Sequence, residues 1–427
     1  MVLNYIWIAF FVIAFIVALV RVIGFYFREE LHGWLGVVFD QSDLNVISNI
    51  SNSLFEMAEV SVMGVALPLA GAMAFWLGIM KIGEKGGAVG VLSKLISPFF
   101  SRIFPEIPKN HPASGAIIMH FAANMFGLDN SATPLGLKAM NELQELNKEK
   151  DTASNSQIMF LVLNTSGLTL IPVSIMALRA AGGAANPSDV FLPILFATFF
   201  SSMTGLIIVS LIQKINLFNK VVLAYLGGVS LFIAGFIYFY ASLTAIQQQS
   251  YSKVITGFVL LAIIVSFLMM GFRKKLNLFE TFVDGAKEGF EVAVKIIPYL
   301  VAMLVAIAVF RASGAMDYVL DGIRFVVSLF TSETTFVDAL PTALMKPLSG
   351  SGARGMMVEA MNNYGADSFA ARLSATFQGS TETTFYVLAV YFGSVGIKKI
   401  RYSLTAGLLA DLAGIIASII IAYMFWG

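Results

Sequence analysis

The chain predicts an all-α polytopic membrane protein of two inverted repeats, each with a re-entrant helical hairpin and a broken transmembrane helix. Three observations lead there. Of 427 residues, 58% are hydrophobic and only 12% charged, where soluble domains carry about 25% charged residues. Several apolar runs reach the roughly 20 residues that a helix needs to cross a hydrocarbon core. Two stretches then read as near copies of one unit: Leu128-Asp129-Asn130-Ser131-Ala132-Thr133-Pro134 before Ala139-Met140-Asn141, and Leu348-Ser349-Gly350-Ser351-Gly352-Ala353-Arg354 before Ala360-Met361-Asn362. Irregular polar backbone is tolerated at membrane depth only where protein or a wet cavity satisfies it. A matched pair of such breaks points to a transporter's binding site.

Nine apolar spans are expected, near 3–24, 60–81, 155–178, 190–213, 221–241, 254–272, 292–311, 368–393 and 402–426. The first lacks a basic leading region and an evident cleavage site, so it reads as a retained helix. Two shorter regions, 112–128 and 340–353, read as the hairpins. Amphipathic pieces at 41–56, 88–103, 135–148, 275–290 and 315–330 suit helices at the membrane surface or packed on the bundle. The stretch 242–252 reads as a polar loop. The organisation follows: an N-terminal helix over 1–40, a first repeat over 41–215, linking helices over 216–275 and a second repeat over 276–427.

Basic residues in short loops set the topology. Arg273-Lys274-Lys275, Lys398-Lys399 with Arg401, Lys138 with Lys148 and Lys150, and the group Lys81, Lys85, Lys94, Arg102 and Lys109 all fall on one side. With nine crossings the N-terminus is then cytoplasmic. The broken segments 155–178 and 368–393 run in opposite directions, which makes the halves inverted repeats. Asp151 with Asp367, and Phe55-Glu56 with Phe290-Glu291, extend the match.

The polar groups near the breaks are the candidate site. Asn124, Asp129, Asn130, Ser131 and Thr133 crowd around the first hairpin, beside the helix that Pro134 opens. A helix start favours an anion or carboxylate; simple capping accounts for one or two of the five. In the second hairpin, Ser349, Gly350, Ser351 and Gly352 have no bulky side chains, so a ligand can approach their N–H groups. Arg354 follows, suited to a substrate carboxylate or phosphate, or to pairing with Glu359. Asn164 and Thr165 in the first broken span answer Ser380, Thr381, Thr383 and Thr384 in the second. Glu382 between them is an ionisable group at bilayer depth, costly unless paired, protonated or solvated. Glu382, Asp129 and Asp411 are the candidates for ion coupling; Asp411 has pairing with a base as its plainer role. Arg179 reads as a helix-end anchor. His32, His111 and His120 show no metal-ligand spacing, and no metal site is expected.

Other classes are excluded or weak. A net charge of +1 without a basic soluble face argues against nucleic acid. Zero cysteines remove disulfides and thiolate sites. No phosphate-binding loop, HExxH or nucleophile elbow occurs, so neither an enzyme nor ATP-driven transport is expected.

These motifs resemble the spore maturation proteins A and B fused in one chain. The first half resembles protein A through Gly127 to Met140 and Asn164-Thr165; the second resembles protein B through Ser349 to Gly352, Ser380 to Tyr386, Tyr391-Phe392-Gly393 and Arg401-Tyr402. The resemblance implies a bacterial inner-membrane protein with paired Gate, or nucleoside-recognition, repeats. It does not name a substrate. Asp129 departs from the pattern, which has a small residue such as Gly there. The expected function is secondary transport of a small polar metabolite, anionic or zwitterionic and nucleoside-like solutes included, by alternating access. No cofactor is implied beyond a coupling proton or Na⁺. The partners are the lipid bilayer and a small solute, and a homo-oligomer is compatible. The alternative is a non-transporting scaffold or ligand sensor within a partner complex.

Overall fold

The computed structural model describes residues 2–35, 38–167 and 169–427. They form twenty α-helices in chain order: α1 Val2–Tyr26, α2 Arg28–Leu35, α3 Gln41–Leu44, α4 Val46–Glu59, α5 Leu67–Gly86, α6 Ala88–Ile103, α7 Pro112–Met125, α8 Asp129–Leu146, α9 Asn155–Ser166, α10 Val173–Ala181, α11 Phe191–Gln213, α12 Lys220–Ala241, α13 Ala245–Arg273, α14 Leu278–Ala312, α15 Ala315–Ser328, α16 Leu340–Met345, α17 Gly350–Tyr364, α18 Phe369–Ser380, α19 Thr384–Ser394 and α20 Ser403–Trp426. Among the described residues, seven helical runs are long and apolar enough to cross a membrane: Asn4–Tyr26, Gln41–Gly86, Phe191–Gln213, Lys220–Tyr240, Val254–Arg273, Leu278–Ala312 and Ser403–Trp426. The protein is therefore an all-helical membrane protein. The two further expected spans, 155–178 and 368–393, are each a pair of short helices, α9 with α10 and α18 with α19.

Three of the five pieces expected as separate amphipathic helices belong to longer ones. Residues 41–56 run into 60–81 as one helical stretch of 46 residues, about 69 Å at 1.5 Å per residue. Residues 275–290 lead directly into α14, and 135–148 continue α8. Between 41–56 and 60–81 no glycine or proline intervenes, while Pro134 in the first turns of α8 and Gly289 in α14 are accommodated within their helices. In the long run, residues Val60–Ala66 adopt a π-helical turn, and Leu67 N–H donates to Val62 C=O, five residues back. Pro68 lacks the N–H that would have bonded to the Gly64 carbonyl, which frees the backbone there to widen. The expected loop 242–252 is also shorter. Thr244 caps α13, its hydroxyl accepting from Gln247 N–H while Gln247 Oε1 accepts from Thr244 N–H, and this capping box draws the glutamine-rich stretch into the helix.

α14 packs along α4 and α5, α11 along α20, and α9 and α18 both against α20. The α5–α14 crossing is close: a Cβ on Gly289 would lie 2.5 Å from the Met73 carbonyl, so only glycine fits. α12 and α13 stand at the perimeter and present Leu231, Phe232, Phe258 and Leu261 outward, as lipid-facing helices do. Residues 112–128 form α7 and its turn into α8; 340–353 form α16 and its turn into α17. In each case the two helices pack on each other.

Candidate functional site

The first interruption has clear local causes. Ser154 and Gln157 close a capping box at the start of α9. The helix ends at Gly167, whose φ of +39° an L side chain rarely adopts. Pro172 then disfavours helix at the residue before it, and α10 starts only at Val173. In the second interruption Ser368 caps α18, its hydroxyl accepting from Ala371 N–H at 3.1 Å. Thr381 is extended, at φ −147° and ψ 172°, and α19 begins after Thr383.

Main-chain hydrogen bonds gather these pieces. Glu382 N–H donates to Thr165 C=O at 2.7 Å, joining the two interruptions. Leu170 N–H donates to Met125 C=O at 2.7 Å, tying the first interruption to the end of α7. Phe385 N–H donates to Pro347 C=O at 3.1 Å, tying the second to the turn after α16.

The outer ends are clasped reciprocally. Before α9, Asp151 C=O accepts from the N–H groups of Lys398 and Lys399, each at 2.9 Å, beyond the end of α19. Before α18, Asp367 and the Ala366 carbonyl bind Arg179, at the end of α10. The start of each interrupted pair thus lies at the finish of the other, and their middles touch.

A cavity of about 730 Å³ opens where these elements meet. Of the expected site residues, Asn124, Thr133, Asn164, Ser349, Gly350, Ser351, Arg354, Thr381, Glu382 and Thr383 line it. Asn124 Nδ2 donates to Asn164 Oδ1 at 3.4 Å across the wall. Ser349 caps α17, its hydroxyl accepting from Gly352 N–H at 3.0 Å, which leaves the N–H groups of Gly350 and Ser351 without a partner inside the helix. Arg354 forms no ion pair with any described residue; Glu359, its alternative partner, pairs instead with Arg311. The Glu382 carboxylate likewise has no hydrogen bond or ion pair among the described residues.

Other expected residues lie behind the wall. The hydroxyls of Thr165 and Ser380 donate back into their own helices, to Val162 C=O and Phe377 C=O. Gly352 is engaged in the cap. Thr384 donates to Asp411 Oδ2 at 2.7 Å, and Asp411 is only 2% exposed. The side chains of Asp129, Asn130 and Ser131 lie outside the described residues. Arg179 is more than an anchor: it is fully buried and bonds to Asp189 at 2.9 Å as well as to Asp367.

The cavity also holds residues that sequence reasoning passed over: Lys81, Glu84, Glu288, Lys295, Lys346 and Gln378, with His120. Lys81 is no loop cation. It faces the cavity and pairs with Glu288 at 2.8 Å and Glu84 at 3.6 Å. Glu288 and Lys295 lie seven residues apart on α14, two turns along one face, which was the available signal. His120 is almost wholly buried, and its Nδ1 donates to Ala132 C=O at 2.7 Å. Elsewhere, the ligand atoms of His111, Glu142 and Glu145 come within 4.8 Å of one another. His111 Nδ1 already accepts from Ala113 N–H, so the neutral ring carries its proton on Nε2.

The Gate family of nucleoside-recognition domains matches residues 66–182 and again 293–398. Spore maturation protein B of Bacillus subtilis (strain 168) is 50% identical over 165 residues, 39% of this chain and 91% of that protein. Spore maturation protein A of the same organism is 39% identical over 174 residues, 41% of this chain and 88% of that protein. No solved structure matches. Matched over more than half its length, the chain belongs to the Gate (nucleoside-recognition) family, carries two copies of the domain, and is similar to both spore maturation proteins.

Proposed function

We propose that this protein is a secondary transporter of a small polar metabolite, anionic or zwitterionic and nucleoside-like solutes included, driven by a proton or Na⁺ gradient. The observation that carries the reading is the shared polar cavity where two interrupted helix pairs and two helix-turn-helix tips converge. Its volume of about 730 Å³ falls in the range of roughly 300–1,000 Å³ typical of small-molecule sites. The reciprocal end clasps support an antiparallel relation of the interrupted pairs. On this reading they are broken transmembrane helices of inverted repeats, α7–α8 and α16–α17 are re-entrant hairpins, and the repeats rock about the site. Glu382, facing the cavity unpaired, is the coupling carboxylate; Asp411, tied to Thr384, supports it from behind.

The test is uptake into proteoliposomes of a metabolite library under imposed proton and sodium gradients. Glu382→Gln is expected to lose gradient-driven accumulation at least tenfold. Unchanged accumulation removes the coupling role, and no flux of any solute removes transport. A second reading, a ligand sensor that binds without turnover, draws on the clasping of both ends of the interrupted pairs, which would hold them as a rigid frame. Saturable binding with no flux selects it. The chain contains no cysteine, so Ser351→Cys gives a single thiol in the cavity. Labelling from both membrane sides, switched by gradient or solute, is expected of the transporter; labelling from one fixed side is expected of the sensor.

A further inference from the structure

The cavity wall carries two kinds of unsatisfied group. The first are donors: the N–H groups of Gly350 and Ser351 at the α17 start, and the Arg354 guanidinium one turn on. Every group there donates hydrogen bonds or carries positive charge. A guanidinium and adjacent helix N–H groups suit a carboxylate.

The second are acceptors. Gln378 is 4% exposed, and its Oε1 has no hydrogen-bond partner. Buried polar atoms are ordinarily satisfied, and an orphan calls for an explanation. His120 gives a second case: Nδ1 supplies the proton to Ala132 C=O, so Nε2 is an acceptor, and it too is buried without a partner. Asn164 is close enough to influence the ring but does not complete a bond to Nε2 in ordinary geometry. The unpaired Glu382 carboxylate is the third acceptor. A ligand that satisfies these groups brings N–H or O–H donors, and Glu382 favours one that carries a positive charge.

The charge balance agrees. Lys81, Lys295, Lys346 and Arg354 line the cavity against Glu84, Glu288 and Glu382. The lining thus carries both signs: Lys81 is paired with Glu288 and Glu84, while Arg354 and Glu382 have no ion pair among the described residues. That favours a ligand of zero net charge with separated charges over a simple anion.

We infer that the cavity binds a zwitterion of amino-acid type, its carboxylate on Arg354 and the α17 start, its ammonium on Glu382 and Gln378. This rests on the cavity being a solute site, and it narrows the proposed transporter to one substrate class. The test is binding by the purified full chain in nanodiscs. Thermal shift and calorimetry would use L-amino acids, the matching primary amines that lack the carboxylate, and the matching carboxylic acids that lack the ammonium. Uridine and adenosine complete the panel. At least one amino acid is expected to bind ten or more times tighter than both of its truncated partners. Arg354→Gln and Glu382→Gln should each erase that margin, Arg354→Lys should retain part of it, and gel filtration checks their folding. Gln378→Leu should weaken the amino acid and its amine while sparing the acid. Acids that bind as well as amino acids, nucleosides that bind in their place, or no binding by any zwitterion would each overturn the inference. Binding is read apart from flux. Zwitterion binding without uptake would fell the transport reading alone, and nucleoside uptake would fell this inference alone.

Discussion

Asp151 and Asp367 occupy matched places ahead of the two interrupted helix pairs, yet they clasp the opposite half by different chemistry. Asp151 works through its backbone: its carbonyl takes two N–H groups, Ala153 N–H returns a bond to Lys399 C=O, and the side chain adds an exposed pair with Lys399 at 3.1 Å. Asp367 works through its carboxylate, which meets Arg179 at 3.3 Å and Ala185 N–H at 2.9 Å, while Asp189 bridges Arg179 and Arg372. A main-chain ladder tolerates changes of side chain. A buried guanidinium held by two acids depends on every partner. The two ends of one duplicated design therefore differ in how easily mutation or a conformational change opens them, and the Arg179 end is the one held by charge.

Arg179→Ala should break the comparison most sharply. It leaves Asp189 buried with Arg372 as its remaining partner, and losing one side of a buried ion pair costs about 3 kcal/mol or more. Thermal unfolding of the purified protein should show a large fall in melting temperature. In proteoliposomes Ser351→Cys should become more accessible from the Arg179 side. A variant as stable as the parent would mean that the network adds nothing to the closed end.

Asp367→Asn should have a smaller effect. The amide keeps an acceptor for Ala185 N–H but loses the charge facing Arg179, at a cost of about 1 kcal/mol for a charge-assisted bond weakened to a neutral one. The Asp151→Asn variant is the control at the matched position. If both behave alike, the distinction between a charge clasp and a backbone clasp fails.

The sequence carried the all-helical membrane bundle and its duplication, because long apolar runs and repeated motifs are local cues. The run Ser380 to Thr384 lies where α18 ends and α19 starts, and the Ser349–Arg354 run marks the cavity-facing start of α17. Helix continuity was misread where the evidence was tertiary. Residues 41–56 and 275–290 read as separate helices, at the membrane surface or packed on the bundle; they continue into their neighbouring spans and take the packed alternative, in the α4–α14 and α5–α14 contacts. Glu288 was missed, and Lys81 read as a loop cation, for the same reason: a charge on a long helix does not reveal which neighbour it faces. Thr165, Ser380 and Thr384 were assigned to the wall because hydroxyls near a break suit a ligand equally well as they suit the back-bonds and the Asp411 contact that they make.

The smallest effect is expected from pH at the Asp151 end. The ammonium of Lys399, bonded to the Asp151 carboxylate, holds its pKa below the usual carboxylate value, with Thr152 adding to the shift. A carboxyl with a lowered folded-state pKa stabilises the fold above its unfolded pKa, and that contribution is lost as pH falls through the folded value. Both groups are open to solvent, so salt should screen the pair as well. Melting curves of the parent and of Lys399→Gln should therefore differ slightly at neutral pH and low salt, and converge below the carboxylate range or in high salt. The Asp151 and Ala153 main-chain bonds have no titrating partner and should keep this end closed throughout. Should Lys399→Gln instead open it at neutral pH, to the extent that Arg179→Ala opens the other end, then the side-chain pair and not the ladder is the clasp, and the two halves close by the same chemistry after all.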